Sequence, residues 1–101
     1  MRSFVLPCSG SNFSLAPDVA VGPDGRAHVV WYAFGTGVVF YHVLADGQPL
    51  GDPLYMVRGV AEAELPKVAV GTDGTVHVVW NQYWIFIPAS DEEGIFWWSN
   101  R

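Results

Sequence analysis

Aromatic and acidic side chains stand close together in one stretch of the chain, residues 81–94, with the sequence NQYWIFIPASDEEG. The CH faces of a sugar ring stack on aromatic planes, and its hydroxyl groups donate hydrogen bonds to carboxylates. The stretch supplies both kinds of partner. The sequence therefore predicts a binding site for a carbohydrate or another small ligand, formed by Tyr83, Trp84, Phe86, Asp91, Glu92 and Glu93.

Paired carboxylates are the second chemical feature. Glu62 and Glu64 form one pair, and Glu92 and Glu93 form another. We expect Glu62 and Glu64 to lie in a loop beside the same ligand. Glycoside hydrolysis needs two carboxyl groups about 5 to 9.5 Å apart across the scissile bond. Spacing along the chain does not fix that distance, so a glycoside hydrolase-like enzyme stays an alternative to a binding protein.

Other catalytic and cofactor motifs are absent from the sequence. It contains no Gly-rich phosphate loop, no Cys or His spacing typical of a metal site, and no Gly-x-Ser-x-Gly nucleophile elbow. Cys8 is the single cysteine, and we expect a free thiol that packs as a small apolar side chain. The sequence therefore predicts a non-catalytic protein without cofactor or metal.

An internal repeat surrounds these residues. Residues 17–31, PDVAVGPDGRAHVVW, return as residues 66–80, PKVAVGTDGTVHVVW, and eleven of the fifteen positions are identical. The period is 49 residues. Self-similarity at such a period is typical of repeat architectures, and here it favours a propeller.

Each repeat begins with two predicted strands joined by a tight turn. In the first repeat, the apolar run Val19–Val21 stops at Gly22–Gly25, where Pro, Asp and Gly suit a hairpin turn. The β-branched and aromatic residues of Ala27–Trp31 predict a central strand that is apolar on both faces. Gly37–Leu44 and Leu54–Arg58 are the expected third and fourth strands. No window shows a helical period, so the predicted fold class is all-β.

The histidines also follow the repeat. His28 and His77 occupy the same position in the second strand of each repeat, whereas the expected counterpart of His42 is Ser99. We interpret His28 and His77 as packed core residues, not as metal ligands or acid-base groups. Asp24 and Asp73 are expected to form turns, because a single carboxylate per turn does not supply the converging oxygens that Ca²⁺ needs.

Residues 17–31 and 66–80 resemble the blade repeat of sialidase-like (BNR-type) β-propellers. In that repeat, a Pro-x-hydrophobic-Ala-Val strand precedes an Asp-Gly turn and a His or Tyr-Val-Val-Trp strand. The resemblance implies four-stranded blades arranged in a ring. Where that family often carries a Ser-x-Asp-x-Gly-x-x-Trp box, this chain has only Ala45–Pro49, and its arginines match no substrate-binding motif. Sialidase activity is therefore not expected.

The repeat period divides the chain into a single two-blade unit. Residues 1–16 are expected to hold an orphan fourth strand at Phe4–Cys8 and a loop. Residues 17–65 are expected to form the first blade, and residues 66–101 a second blade that lacks its fourth strand. Two blades cannot close a ring, because propellers have about 4 to 8 blades. We therefore expect strand exchange between copies in a homo-oligomer. Three copies give six blades and are preferred, and two or four copies give four or eight.

This architecture bears on the predicted ligand site. The connection between the second and third strands is eight residues longer in the second repeat, and such insertions often map to the binding face. Alternatively, Tyr83–Ile87 prolongs the hairpin and packs on a neighbouring copy or fills the centre of the ring. The preferred function is a lectin-like, carbohydrate- or small-ligand-binding propeller module. The alternative is a protein-interaction scaffold or a silent fragment of a larger propeller.

Charge and composition narrow the partners further. Ten acidic and five basic residues give a net charge of −5 at pH 7, which repels nucleic acid backbones. Half of the residues are hydrophobic, as suits sheets buried on both faces. The apolar run before Pro7 is too short for a signal peptide core or a membrane span. We therefore expect no nucleic acid partner, no membrane association and, by default, a cytoplasmic location.

Overall fold

The computed structural model describes residues 13–34, 38–56, 62–83 and 94–101. The described residues form seven strands, so the predicted all-β class is confirmed. The strands are β1 (Phe13–Val21), β2 (Ala27–Phe34), β3 (Val38–Ala45), β4 (Gln48–Met56), β5 (Glu62–Val70), β6 (Val76–Tyr83) and β7 (Gly94–Ser99). Within these ranges, no helix is long and apolar enough to cross a membrane.

The strands form two antiparallel sheets. The first sheet has the order β1-β2-β3-β4, and the second has the order β5-β6-β7. The second strand of each repeat lies in the middle of its sheet, as its apolar composition predicts. The strand expected at Phe4–Cys8 lies outside the described residues.

Each repeat makes the same turn after its first strand. The N–H of Gly25 donates to the carbonyl of Gly22 (3.0 Å), and Oδ1 of Asp24 accepts a hydrogen bond from the N–H of Arg26. In the second repeat, Asp73 accepts from the N–H of Thr75 at 2.9 Å. That bond is the main cause that lowers the pKa of Asp73 below its usual range. The Asp-Gly turn predicted from sequence is therefore present twice.

A bulge interrupts the first strand of each repeat at the same place. The register shifts between Leu15 and Asp18 in β1 and between Glu64 and Lys67 in β5. Ala16 and Leu65, which stand 49 residues apart before the two prolines, both have a φ of 51°. Residues with a Cβ rarely adopt this left-handed conformation, so the bulge is a strained feature of the repeat itself.

Three strands, β1, β4 and β5, begin earlier in the chain than the sequence predicts. β1 and β5 extend through segments that were expected to be loops, since β5 already begins at Glu62. β4 begins at Gln48, not at Leu54, because Asp46 and Gly47 form a two-residue turn with φ values of 53° and 75°. Positive φ at both positions is the geometry that joins two strands directly.

The two sheets pack face to face, with β5 lying across β1, β2 and β3. We call the packed faces the inner faces and the opposite ones the outer faces. A single apolar cluster fills the interface, comprising Val30, Tyr32, Val39, Tyr41 and Met56 from the first sheet and Val68, Val76, Val78 and Trp80 from the second. A polar bond also joins the sheets, since Oδ2 of Asp18 accepts from the N–H of Val68 at 2.9 Å.

A second, smaller cluster lies on the outer face of the first sheet. Trp31, Ala33 and Phe40 are buried there, and the rings of Trp31 and Phe40 stack with their centroids 5.5 Å apart. The central strand β2 is therefore covered on both faces, as its composition predicts.

The register corrects the alignment of the two repeats. Trp31 pairs with Phe40, nine residues further along the chain, and Trp80 pairs with Phe96, sixteen residues further along. The second connection is therefore seven residues longer than the first, not eight. Tyr41 thus corresponds to Trp97, and His42 corresponds to Trp98, not to Ser99.

Candidate functional site

Aromatic side chains concentrate between β4 and β7, at one margin of the interface between the sheets. A cleft of about 290 Å³ opens there, lined by Leu54, Tyr55, Met56, Trp80, Phe96, Trp97 and Trp98. The sequence of β7, GIFWWS, supplies three of these side chains. Strand alternation then decides which of them face the cleft.

The inner faces provide the walls of the cleft. Phe96 and Trp98 alternate with Trp97 along β7, and Phe96 pairs with Trp80, so Trp80, Phe96 and Trp98 share one face. The rings of Trp80 and Phe96 stack, with centroids 6.2 Å apart. Across the cleft, Met56 is buried and Leu54 is 45% exposed. The result is an apolar slot between aromatic planes on one side and two aliphatic side chains on the other.

Tyr55 and Trp97 lie at the rims of the cleft. Alternation turns both side chains towards the outer faces, and both are more than half exposed. The ring of Tyr55 meets the ring of Phe40 edge to face at 4.9 Å. Tyr55 thereby connects the margin of the cleft with the small outer cluster of the first sheet.

The polar chemistry of the cleft is limited. The indole N–H of Trp80 donates to Oε1 of Gln82 at 3.0 Å within the core. Among the described residues that line it, none is an acid, a base or a histidine. The cleft can therefore hold an apolar or ring-shaped group by contact and stacking.

His28 and His77 form equivalent pairs with aromatic residues in the two sheets. Nδ1 of His28 and the hydroxyl of Tyr41 share a buried hydrogen bond of 2.7 Å, and the two rings are stacked. In the second sheet, the indole N–H of Trp97 donates to Nδ1 of His77 at 3.2 Å, again with stacked rings. Burial lowers the pKa of His28, and the nearby Asp24 opposes this shift.

His42 has a structural position in the first sheet. It is 2% exposed, and its Nε2 lies 2.9 Å from the carbonyl oxygen of Gly51 and 3.1 Å from that of Leu50. It therefore donates to the backbone where β4 bulges away from β3, since the register shifts there. Among the described residues, no group of three or more histidines, cysteines and carboxylates could hold a metal ion.

The ligand-binding residues predicted from sequence are placed only in part. The backbones of Glu62 and Tyr83 pair across β5 and β6, and Glu64 pairs with Asn81. The expectation that Glu62 and Glu64 lie in a loop is therefore wrong, because both are in β5. The side chains of these three residues lie outside the described part of the structure, as do Trp84, Phe86, Asp91, Glu92 and Glu93.

The cleft between β4 and β7 was not predicted. Its signal in the sequence is the run of three aromatic residues in β7, of which a strand must direct the first and third to one face. The opposite wall could not be found this way, because it depends on where β4 begins and on how the sheets pack.

Comparison with known proteins identifies no relative. No known protein family, no curated protein and no solved structure matches the chain.

Proposed function

We propose that this chain is a non-catalytic binding module that holds a small, ring-shaped ligand, with carbohydrate as the first candidate. The observation that carries the proposal is the cleft of about 290 Å³ walled by Trp80, Phe96 and Trp98. Pockets for small molecules have volumes of roughly 300 to 1,000 Å³, so the cleft suits a single sugar-sized ring. The described part of its lining contains aromatic and aliphatic side chains, which suit binding by stacking and contact.

The stretch at residues 81–94 complements this cleft in the proposal. Tyr83 ends β6, and Gly94 begins β7, so the intervening residues connect two strands of the sheet that carries the aromatic wall. Asp91, Glu92 and Glu93 supply carboxylates, to which sugar hydroxyls donate hydrogen bonds. In this proposal, the ligand stacks in the cleft or on Trp84, and the two arrangements are separable by mutation.

The module is, in this proposal, a pair of propeller blades. Support comes from the two consecutive meanders, one of four strands and one of three, and from their face-to-face packing. Six blades from three copies, with strand exchange completing the second sheet, remain a prediction. A ring of this kind would present several copies of one weak ligand site, and linked sites bind a multivalent glycan more tightly than any single site.

A protein-interaction scaffold is the second candidate. It is favoured by the position of β7, which has one strand neighbour, β6, within the described residues. An extended peptide adds to such an edge through backbone hydrogen bonds and inserts alternate side chains into neighbouring pockets. The adjacent cleft could take an apolar side chain of the peptide.

A cleft-blocking substitution tests the proposed function. We expect the wild-type chain to bind members of an immobilised panel of mono- and oligosaccharides, and Leu54→Trp to abolish that binding by filling the cleft. Leu50→Trp is the matched control, since Leu50 is 42% exposed on the same strand and does not line the cleft. Loss of binding in Trp84→Ala with retention in Leu54→Trp would place the ligand on the 81–94 stretch instead.

The proposal fails if the wild-type chain binds no sugar of the panel. A library of extended peptides then tests the scaffold candidate. Peptide binding that Leu54→Trp blocks and Leu50→Trp leaves intact would establish strand addition at β7.

A further inference from the structure

The two sheets pack against each other through non-equivalent faces: positions that face the interface in the first sheet face away from it in the second. On β3, Tyr41 faces inwards, whereas its counterpart Trp97 on β7 is 64% exposed on the outer face. Val30 of the inner face likewise corresponds to Val79, which alternates with the buried Val78. The outer face of the second sheet is therefore the counterpart of the inner face of the first.

The reverse relation holds for the other two faces. Val68 and Val70 belong to the interface between the sheets. Their counterparts in the first sheet, Val19 and Val21, are 58% and 67% exposed and lie on the outer face, opposite Val29 and Ala27. The outer face of the first sheet along β1 thus repeats the surface that the second sheet uses to pack on the first.

We propose that the outer face of the second sheet binds the outer face of the first sheet in a second copy of this chain. The contact repeats the packing that already joins the sheets within one chain. Such a contact is heterologous, because it joins two different surfaces, and it propagates until the copies close into a ring. This inference rests on the blade pairing of the proposed function and names the surfaces that would join the copies, but it does not depend on the ligand cleft.

The apolar character of both surfaces supports this occupant. Ile95 is 74% exposed on the outer face of the second sheet, beside Trp97. These two side chains, with Val19 and Val21 on the other surface, are among the most exposed large apolar residues of the described chain. Contiguous exposed apolar side chains on a soluble protein mark interaction sites.

One polar feature distinguishes the proposed contact from the internal one. Asp18 accepts from the N–H of Val68 within the chain. The counterpart of Asp18 is Lys67, and the counterpart of Val68 is Val19. In the proposed contact, Lys67 would face the Val19 N–H of the second copy, and an ammonium group cannot accept a hydrogen bond. The contact between copies is therefore weaker than the contact between sheets, and it can be strengthened by design.

Complementary variants test the proposal. Wild-type chain should scatter light as a multiple of the 11.1 kDa chain mass, with three copies expected. Ile95→Asp blocks one surface and Val19→Asp blocks the other, so each variant alone should be monomeric. An equal mixture should form a dimer of twice the chain mass, because each variant retains the surface that the other needs. Both sites are exposed, and circular dichroism should report unchanged folding.

Other outcomes overturn the inference. A monomeric wild-type chain would refute it outright. If either single variant kept the wild-type mass, the mutated surface would not form the proposed contact. If the mixture of the two variants stayed monomeric, the two outer faces would not bind each other. Leu54→Trp acts only on the cleft, whereas Ile95→Asp and Val19→Asp act only on the outer faces. Failure of the ligand-binding proposal and failure of the association proposal are therefore distinguishable.

A gain of affinity provides an independent check. Lys67→Asn offers a side-chain oxygen to the Val19 N–H of the second copy, and one added hydrogen bond should tighten association about three- to tenfold. Thr72→Asp is the matched control, since it changes the net charge by the same amount at an exposed turn. Equal tightening by both variants, or none by Lys67→Asn, would contradict the proposed geometry.

Discussion

The two sheets share a repeat, but the same positions have different environments in them. In the first sheet, His28 and Tyr41 form a hydrogen-bonded, stacked pair inside the interface. In the second sheet, His77 and Trp97 form the equivalent pair at the surface. The local geometry of the pair therefore comes from the repeat, whereas its burial comes from what packs on each sheet. Substitutions at paired positions should separate these two contributions.

The largest difference is expected at the aromatic member of each pair. Tyr41→Ala should lower the free energy of unfolding by about 3 to 5 kcal/mol, since it empties a buried aromatic site. Trp97→Ala should cost about 1 kcal/mol or less in a monomer, because Trp97 is exposed. Urea denaturation of both variants in the Ile95→Asp background, where association is blocked, measures the difference. Equal losses would mean that the second outer face is covered within a single chain.

A smaller effect is expected at the polar bond between the sheets. Asp18→Ala removes the acceptor for the Val68 N–H and should cost about 2 kcal/mol, as for a bond to a charged group. Asp18→Asn retains an acceptor and should recover part of this loss. Lys67→Ala, at the counterpart position, should change unfolding by less than about 0.5 kcal/mol. A loss at Lys67 as large as at Asp18 would remove the asymmetry between the repeats.

The buried histidine should make stability depend on pH. Burial lowers the pKa of His28 in the folded chain below its unfolded value, while Asp24 opposes the shift and Arg26 adds to it. The unfolded chain then binds more protons. The contribution of His28 to the free energy of unfolding is therefore fully present above the ordinary histidine pKa of about 6.5. This contribution declines as the pH falls below that value. The slope of the unfolding free energy against pH, measured by urea titration, should become shallower in His28→Gln and remain steep in the wild-type chain.

The smallest effect is expected at the bulge. Leu65 is exposed and has a φ of 51°, a conformation that costs about 1 to 2 kcal/mol for a residue with a Cβ. Leu65→Gly relieves this strain but adds unfolded-state entropy of about 0.5 to 1 kcal/mol. The net change should be a slight stabilisation of at most about 1.5 kcal/mol, seen as a small rise in Tm. Leu50→Gly, at an exposed position of β4 without positive φ, should destabilise instead.

The repeat allowed part of this fold to be predicted. Identity over residues 17–31 and 66–80 predicted the turns, the central strands and the equivalence of His28 with His77, because turn chemistry and strand preference act over a few residues. The expectation that both histidines are packed core residues is confirmed for His28 only, since His77 lies at the surface beside Trp97. The ends of the strands were harder to predict from the sequence. β5 begins within Ala61–Leu65 because pairing with β6 outweighs the weak strand preference of Ala and Glu.

The register between β6 and β7 was the feature that the sequence predicted least well. An error of one residue in the length of the 81–94 connection reverses the faces of β7, so sequence alone would match Tyr41 with Trp98 instead of Trp97. The cleft depends on this register and on sheet packing, and neither follows from local pattern. The role of the carboxylates in a sugar site remains a prediction, since their side chains lie outside the described part of the structure.

The order of the strands has a consequence for how the chain acquires its fold. All described strand pairings join neighbours in sequence, whereas the hydrogen bond from Val68 to Asp18 spans 50 residues. Contacts between near neighbours form faster than contacts that close long loops. During synthesis, the first sheet can therefore form while β5 to β7 are still inside the ribosome. Translation at about 5 to 20 residues per second leaves its inner face, with Val30 and Tyr41, bare for some seconds. During this interval the inner face of the first sheet is open to chaperones and to aggregation.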